Sequence, residues 1–330
     1  MTTFKAYQVS RDGDAFTGAV VERSTEDLPA GELLIDVQFS SLNYKDALSA
    51  TGNPGVTRNF PHTPGIDAAG LVVESSDAAF APGDAVIVIG FDLGMGTSGG
   101  FAERIRVPAG WAVPLPAGFD LEGSMLLGTA GFTAALALDK LERAGGLTPA
   151  QGPVLVSGAS GGVGSVAVAL LAQLGYEVVA VSGKPEQQAL LLQLGASTVL
   201  PREALLEGGD RPLLKETYAG AIDTVGGDML FNAVRSLRYG GSLAACGLVA
   251  SPQIPATVLP FILRHVNLLG VDSVQLPLAE KARIWNRLAA DWQLGDRLEP
   301  LKTELTLDTI GAAIERIFQG RMVGRGVLRL

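Results

Sequence analysis

The segment Pro153–Ser165, PVLVSGASGGVGS, constrains this chain more than any other stretch. An apolar strand runs straight into a glycine cluster, and the apolar helix pattern VAVALLAQLG follows at once. Gly158, Gly161 and Gly164 recur at every third position, and Ala159 takes the place of the first glycine in a GxGxxG arrangement. Such a turn brings backbone close to a pyrophosphate and packs the helix tightly on the strand. It also aims the free N–H groups and the dipole of a helix start at the anion. Strand, turn, helix and a second strand at Glu177–Val181 fill one βαβ unit, the context that makes the motif a dinucleotide signature. A glycine-rich turn that binds no nucleotide is the plainer alternative.

The rest of the chain fits around that unit. Up to about Asp120 it reads as short strands broken by turn residues, among them Glu32–Ser40, Ala69–Glu74 and Ala85–Gly90. Leu121–Ala144 reads as a helix. Beyond it strands at Val154–Ser157, Gly220–Thr224 and Gly241–Cys246 alternate with helices at Val163–Leu174, Glu186–Leu194 and Asp228–Arg238. Alternation of this kind implies right-handed βαβ crossovers and a parallel sheet covered on both faces. A helix at Pro277–Trp292 and a mixed tail follow. The expected fold class is α/β, a β-rich part beside a doubly wound parallel sheet, and a chain of 330 residues suits two domains.

The tip of the second strand distinguishes the two common dinucleotides. An NAD site usually places a carboxylate about 20 residues after the turn, on the ribose 2′-hydroxyl. Here VVAVSGKPE offers Ser182, Gly183 and Lys184, a hydroxyl and an ammonium that suit a 2′-phosphate. Glu186 follows Pro185 and reads as opening the next helix. Arg202, in LPRE, is a second candidate phosphate partner. The expected cofactor is NADP(H).

Composition excludes several classes. A net charge of −9 works against wholesale binding to nucleic acid or anionic membrane. No uninterrupted apolar run reads as reaching the roughly 18–20 residues of a membrane span. The start, MTTFKAYQVSRDGD, lacks the pattern of a signal peptide, so the expected location is cytoplasmic. One cysteine, Cys246, and two histidines, His62 and His265, cannot make the cysteine-rich lobe of a zinc dehydrogenase. In HTPGIDAAG, Ile66 and Asp67 stand where a zinc enzyme carries histidine and glutamate, so no zinc is expected. His62 reads as a packed loop residue, Asp67 as a hydrogen-bonding one, Cys246 as a buried small hydrophobe. Arg104 and Arg106 read as a solvated face, and Trp285 and Trp292 as packing residues of one helix.

Asn43–Leu48 (NYKDAL), Phe60–Gly70 (FPHTPGIDAAG), Gly128–Ala134 (GTAGFTA), Ala219–Gly227 (AGAIDTVGG), Cys246–Leu248, Pro260–Arg264 (PFILR) and Gly270–Val274 (GVDSV) fall in order along the chain. Together they resemble the acrylyl-CoA reductase (NADPH) family, of the zinc-free, quinone-oxidoreductase-like branch of the medium-chain dehydrogenases and reductases. The resemblance covers nearly the whole chain. It implies a GroES-like catalytic domain at 1–121, an NADP-binding Rossmann domain at 122–265, and a return segment at 266–330 completing the catalytic domain. It implies a homodimer and a small-molecule acyl-CoA or enone substrate. Tyr44 and Asn43 are the implied catalytic side chains, with Tyr44 at the nicotinamide. Ser160, Gly161, Gly162 and Val163 would wrap the pyrophosphate, and Ser182, Gly183, Lys184 and Arg202 the 2′-phosphate. Leu248, Ile262 and Arg325 would be further cofactor contacts. Lys184 stands where relatives commonly have arginine, which keeps the charge and loses the bidentate fork.

The implied reaction is reduction of an α,β-unsaturated thioester, with hydride delivered to the β-carbon, charge gathering on the thioester oxygen, and a proton completing the α-carbon. A quinone or enone reductase is the alternative within the same chemistry. A catalytically silent NADPH-binding sensor is the alternative outside it.

Overall fold

Strand formers dominate the amino-terminal third, and glycine and proline punctuate them. In the computed structural model, which describes residues 2–330, β1 (Thr3–Asp12) and β2 (Ala15–Ser24) form an antiparallel hairpin. The sequence reading misses this hairpin because β2 is mostly exposed on both faces and so carries no apolar alternation. Next come β3 (Leu33–Leu42), α1 (Tyr44–Ala50), β4 (Asp67–Ser75), β5 (Ala85–Ile89), β6 (Arg104–Val107) and β7 (Ala112–Pro114). Helix α2 (Leu121–Arg143) closes this part, broken at Gly128, whose φ of 51° and ψ of −157° are not helical. The expected single helix over Leu121–Ala144 therefore has an interruption that only glycine accommodates at low cost.

The doubly wound part follows. Its order is β8 (Val154–Ser157), α3 (Gly162–Gln173), β9 (Val178–Ser182), α4 (Gln188–Gln193), β10 (Thr198–Pro201), α5 (Arg202–Leu206), β11 (Tyr218–Asp223), α6 (Gly227–Arg235), β12 (Leu237–Ala245), α7 (Leu259–Arg264) and β13 (Asn267–Gly270). All neighbours are parallel, in the order β10-β9-β8-β11-β12-β13. Strands β8, β9 and β11 are buried along nearly their whole length, which is why they read as continuous apolar runs. Helix α3 is apolar almost all round, and its residues Gly164–Leu171 are buried. The expected α/β class with a doubly wound sheet is what the chain adopts.

The remaining chain returns through α8 (Leu278–Ala289), β14 (Lys302–Leu305), α9 (Ile310–Phe318) and β15 (Arg325–Arg329). Strand β15 runs antiparallel to β3, so the amino-terminal sheet has the order β14-β15-β3-β4-β5-β7, with β6 also on β3. Two compact units result. One comprises Met1–Thr129, Val274–Ala290 and Lys302–Leu330, the other Ala130–Ser273 and Asp291–Leu301.

Three expectations are corrected. Arg104 and Arg106 are not simply solvated: they pair with Asp36 at 3.2 Å and Glu74 at 3.4 Å across β3 and β4. The helix expected over Pro277–Trp292 ends at Ala289, so Trp285 and Trp292, both fully buried, belong to different units. And α2 is by length and composition apolar enough to cross a bilayer, although 78% of its apolar window is buried inside the fold, which accounts for its composition.

Candidate active site

The glycine turn is tight in the ways its sequence demands. Gly158 has φ +61°, and a Cβ there would lie 2.2 Å from Thr224 Oγ1. A Cβ on Gly164 would lie 2.3 Å from the Gly158 carbonyl oxygen, so helix and turn are as close as backbone allows. Gly161 is the N-cap of α3, with Gly162 and Val163 opening its first turn. Early helical N–H groups have no intrahelical partner and face outward for an anion. A cradle a side chain would fill, at a helix start, fits a pyrophosphate.

Parallel register assembles the second phosphate locus. Pro201 on β10 pairs with Ser182 on β9, which places Arg202 beside the 182–184 tip. The two are so close that a Cβ on Gly183 would fall 2.6 Å from Arg202 Nη2. Ser182 Oγ lies 3.0 Å from Ser160 Oγ and accepts the Lys184 N–H at 3.1 Å. Lys184 is half-buried; burial pulls its ammonium below the usual lysine range, and Glu186 partly restores it. A hydroxyl, an ammonium and a guanidinium thus gather at one sheet end, the chemistry a 2′-phosphate needs. Leu248 and Ile262, in the same unit, are large apolar side chains left 60% and 69% exposed.

The other unit holds a buried polar cluster beneath Tyr44. Asp67 is fully buried, and its carboxylate accepts from Ser41 Oγ at 2.5 Å, Asn43 Nδ2 at 2.7 Å, Thr129 N–H at 2.8 Å and Thr129 Oγ1 at 2.5 Å. Arg325, 2% exposed, donates to Ser41 Oγ, Asn43 Oδ1, and the carbonyls of Leu42 and Leu126. Gly128 permits this: a Cβ there would lie 2.3 Å from Ser41 Oγ and 2.6 Å from Asp67 Oδ2. The helix break turns the Thr129 N–H onto the carboxylate. Asp46, also fully buried, accepts from the N–H of Asn43 at 2.7 Å and of Ile66 at 2.8 Å. Burial first, then the Asp67 charge, push the Asp46 carboxyl up to about 7.

The Asn43 amide is therefore committed within the cluster, its nitrogen on Asp67 and the Ser41 carbonyl, its oxygen on Arg325. Tyr44, the first residue of α1, is half-buried, and its hydroxyl has no hydrogen-bond partner among the described residues. His62 is buried, with Nε2 at 3.0 Å from the Gly94 carbonyl, and burial lowers its basicity. Asp67 is the hydrogen-bonding residue its position suggested. Among the described residues no three His, Cys, Asp or Glu side chains gather as a metal ion would need.

Sequence reasoning missed Asp46, Ser41, Thr129 and Lys281. Lys281 lies in the buried stripe Lys281, Ile284, Trp285 and Leu288 of α8. It donates to the Ile89 carbonyl at 2.6 Å and sits 3.6 Å from the Phe91 ring centroid. A lysine at a stripe position was the available signal.

Known proteins match the chain along nearly its whole length. Residues 29–117 match the alcohol dehydrogenase GroES-like domain family, and residues 162–289 the zinc-binding dehydrogenase family. The chain is 46% identical to the acrylyl-CoA reductase AcuI of Ruegeria pomeroyi, over 98% of both chains. It superposes on the yhdH oxidoreductase of Salmonella enterica in complex with NADP at a TM-score of 0.96, 44% identity and 99% coverage of both chains. The yhfP protein of Bacillus subtilis, solved with NAD bound, gives a TM-score of 0.97 at 44% identity and full coverage. The chain belongs to the acrylyl-CoA reductase family, within the quinone-oxidoreductase-like branch of the medium-chain dehydrogenases and reductases.

Proposed function

We infer that this protein reduces the carbon–carbon double bond of an α,β-unsaturated acyl-CoA, such as acrylyl-CoA, with NADPH and without zinc. Full-length identity of 46% to a protein named for that reaction carries the reading. NADPH, when bound, supplies the hydride. Ser160–Val163 hold the pyrophosphate at the start of α3, and Ser182, Gly183, Lys184 and Arg202 hold the 2′-phosphate, whose charge a carboxylate at the tip would repel. Leu248 and Ile262 give the cofactor apolar contact. Arg325 acts from inside the fold, by fixing Asn43 and Ser41.

Reduction at the β-carbon gathers negative charge on the thioester oxygen, so a donor aimed there lowers the barrier. Tyr44 is the group assigned to that role, because its hydroxyl is not spent on the fold. Asn43 is a positioning residue that holds the start of α1. The protein is read as a cytoplasmic homodimer; Val258 and Leu263, large apolar side chains left exposed at α7, support the association.

The test is stopped-flow NADPH oxidation with acrylyl-CoA, crotonyl-CoA and a benzoquinone side by side, repeated with NADH and after chelation. Acrylyl-CoA should turn over fastest, with NADPH preferred and no loss on chelation. Faster quinone turnover would overturn the substrate assignment, and oxidation with none of the three would leave a binding protein. In the same assay Tyr44→Phe should lower kcat by about 10²-fold, the scale of a lost donor to developing charge. Turnover near wild type would remove Tyr44 from the chemistry.

A further inference from the structure

Asp223 closes β11 where the sheet reverses its order, between β8 and β11. Ligands of doubly wound sheets bind outside the carboxyl ends of the strands at such a point. Ile222 pairs with Val156, so Asp223 comes level with Ser157, the residue just before the glycine turn. Asp223 is fully buried, and no lysine or arginine pairs with it among the described residues. Its Oδ1 accepts from Ser157 Oγ at 2.6 Å, and its Oδ2 from the N–H groups of Val225 at 3.2 Å and Gly226 at 2.7 Å. Its carbonyl accepts the Cys246 N–H at 3.0 Å. One residue thereby ties the ends of β8, β11 and β12.

The tie reaches both sides of the crevice. Thr224 is locked to β8 twice, through its N–H to Ser157 Oγ at 3.1 Å and its hydroxyl to the Ser157 carbonyl at 2.9 Å. Thr224 Oγ1 is also the atom that a Cβ on Gly158 would strike. On the other side Gly247 rests so closely on Thr224 that a Cβ there would lie 1.9 Å from the Thr224 carbonyl oxygen. Ala250 donates to the Val225 carbonyl at 2.9 Å. The turn before α3 and the loop carrying Leu248 are both braced on Thr224–Gly226, which the Asp223 carboxylate holds. A buried carboxylate without a cation is costly to keep for packing alone.

We propose that Asp223 is a positioning residue for the cofactor: acting through Ser157 and Thr224, it sets the spacing between the pyrophosphate turn and the Leu248 loop. The proposal rests on NADPH being the cofactor.

The experiment titrates NADPH by fluorescence, without substrate, into the wild type, Asp223→Asn, Ser157→Ala and the double variant. Asparagine keeps the volume but reverses the bond to Ser157, which already accepts from Thr224. Each single variant should weaken NADPH binding about tenfold, the scale of one hydrogen bond to a charged group. The double variant should be no weaker than the worse single. Adenosine 2′-phosphate, which carries only the far end of the cofactor, should bind all four proteins within twofold. Unchanged NADPH affinity in both single variants overturns the proposal. So does parallel loss of adenosine 2′-phosphate binding, which marks general loosening of the sheet. Should Asp223→Asn fail to fold, Ser157→Ala alone decides. A wild type that binds no NADPH sinks the cofactor reading instead.

Discussion

Asp46 and Asp67, both fully buried, lie in one polar cluster, and the charge of one guanidinium, Arg325, acts on both. Burial pushes that guanidinium down, and the two carboxylates push it back. The carboxyl that yields is Asp46, raised from 3.8 to about 7 despite backbone donors at Asn43, Ile66 and Gly65. The native state therefore holds this proton more tightly than the unfolded chain does. By linkage the group favours the fold most below about pH 4, and that contribution is withdrawn as the pH climbs toward 7. Other carboxylates slope differently, so the readout is a difference between proteins. Melting temperatures of the wild type and Asp46→Asn, measured from pH 4 to 8, should differ in slope between about pH 4 and 7 and run parallel above about 7. Parallel curves throughout would show that Asp46 does not titrate there.

At the scale of elements, what could be read in the sequence was what periodicity and spacing encode. The strands β3, β4, β5 and β8 and the helices α3 and α6 lie within a few residues of their expected positions, because burial on one face or on both leaves a period in the letters. The 182–184 tip and Arg202 are far apart in the chain, yet strand order and register bring them together once a parallel sheet is granted. The Asp67 cluster left no such trace. Its members Ser41, Asp46, Asp67, Thr129 and Arg325 come from β3, α1, β4, α2 and β15, with Asn43 as the N-cap of α1, and no local pattern announces that these six polar residues share an interior. The break in α2 was hidden for a related reason: α2 holds Gly123, Gly128 and Gly131, and a glycine in an apolar helix usually costs a little propensity and no more. Here Gly128→Ala would press a methyl onto Ser41 and Asp67 at a positive φ. Strain and overlap together predict destabilisation on the order of 3 kcal/mol or more. Urea unfolding of Gly128→Ala measures it, and a loss below about 1 kcal/mol, the usual helix glycine penalty, would mean the cluster yields freely.

At the scale of the molecule, the doubly wound unit leaves Val258 and Leu263 exposed at α7. Leu263→Asp should convert a dimer to a monomer in sedimentation velocity while adenosine 2′-phosphate still binds; a wild type that sediments as a monomer would end the dimer reading. The order in which the units are spelled out along the chain matters too. The doubly wound unit has all its residues by Leu301, whereas the other waits for β14, α9 and β15. A chain made from its amino terminus usually finishes its first domain first. Here the unit that begins first finishes last, and the guanidinium that bonds Ser41 and Asn43 in the Asp67 cluster arrives only with Arg325. Until then a nascent chain carries two carboxylates destined for an interior that has no cation to receive them. The growing amino-terminal unit must stay open to water, or in the care of a chaperone, while its later-begun neighbour is already folded.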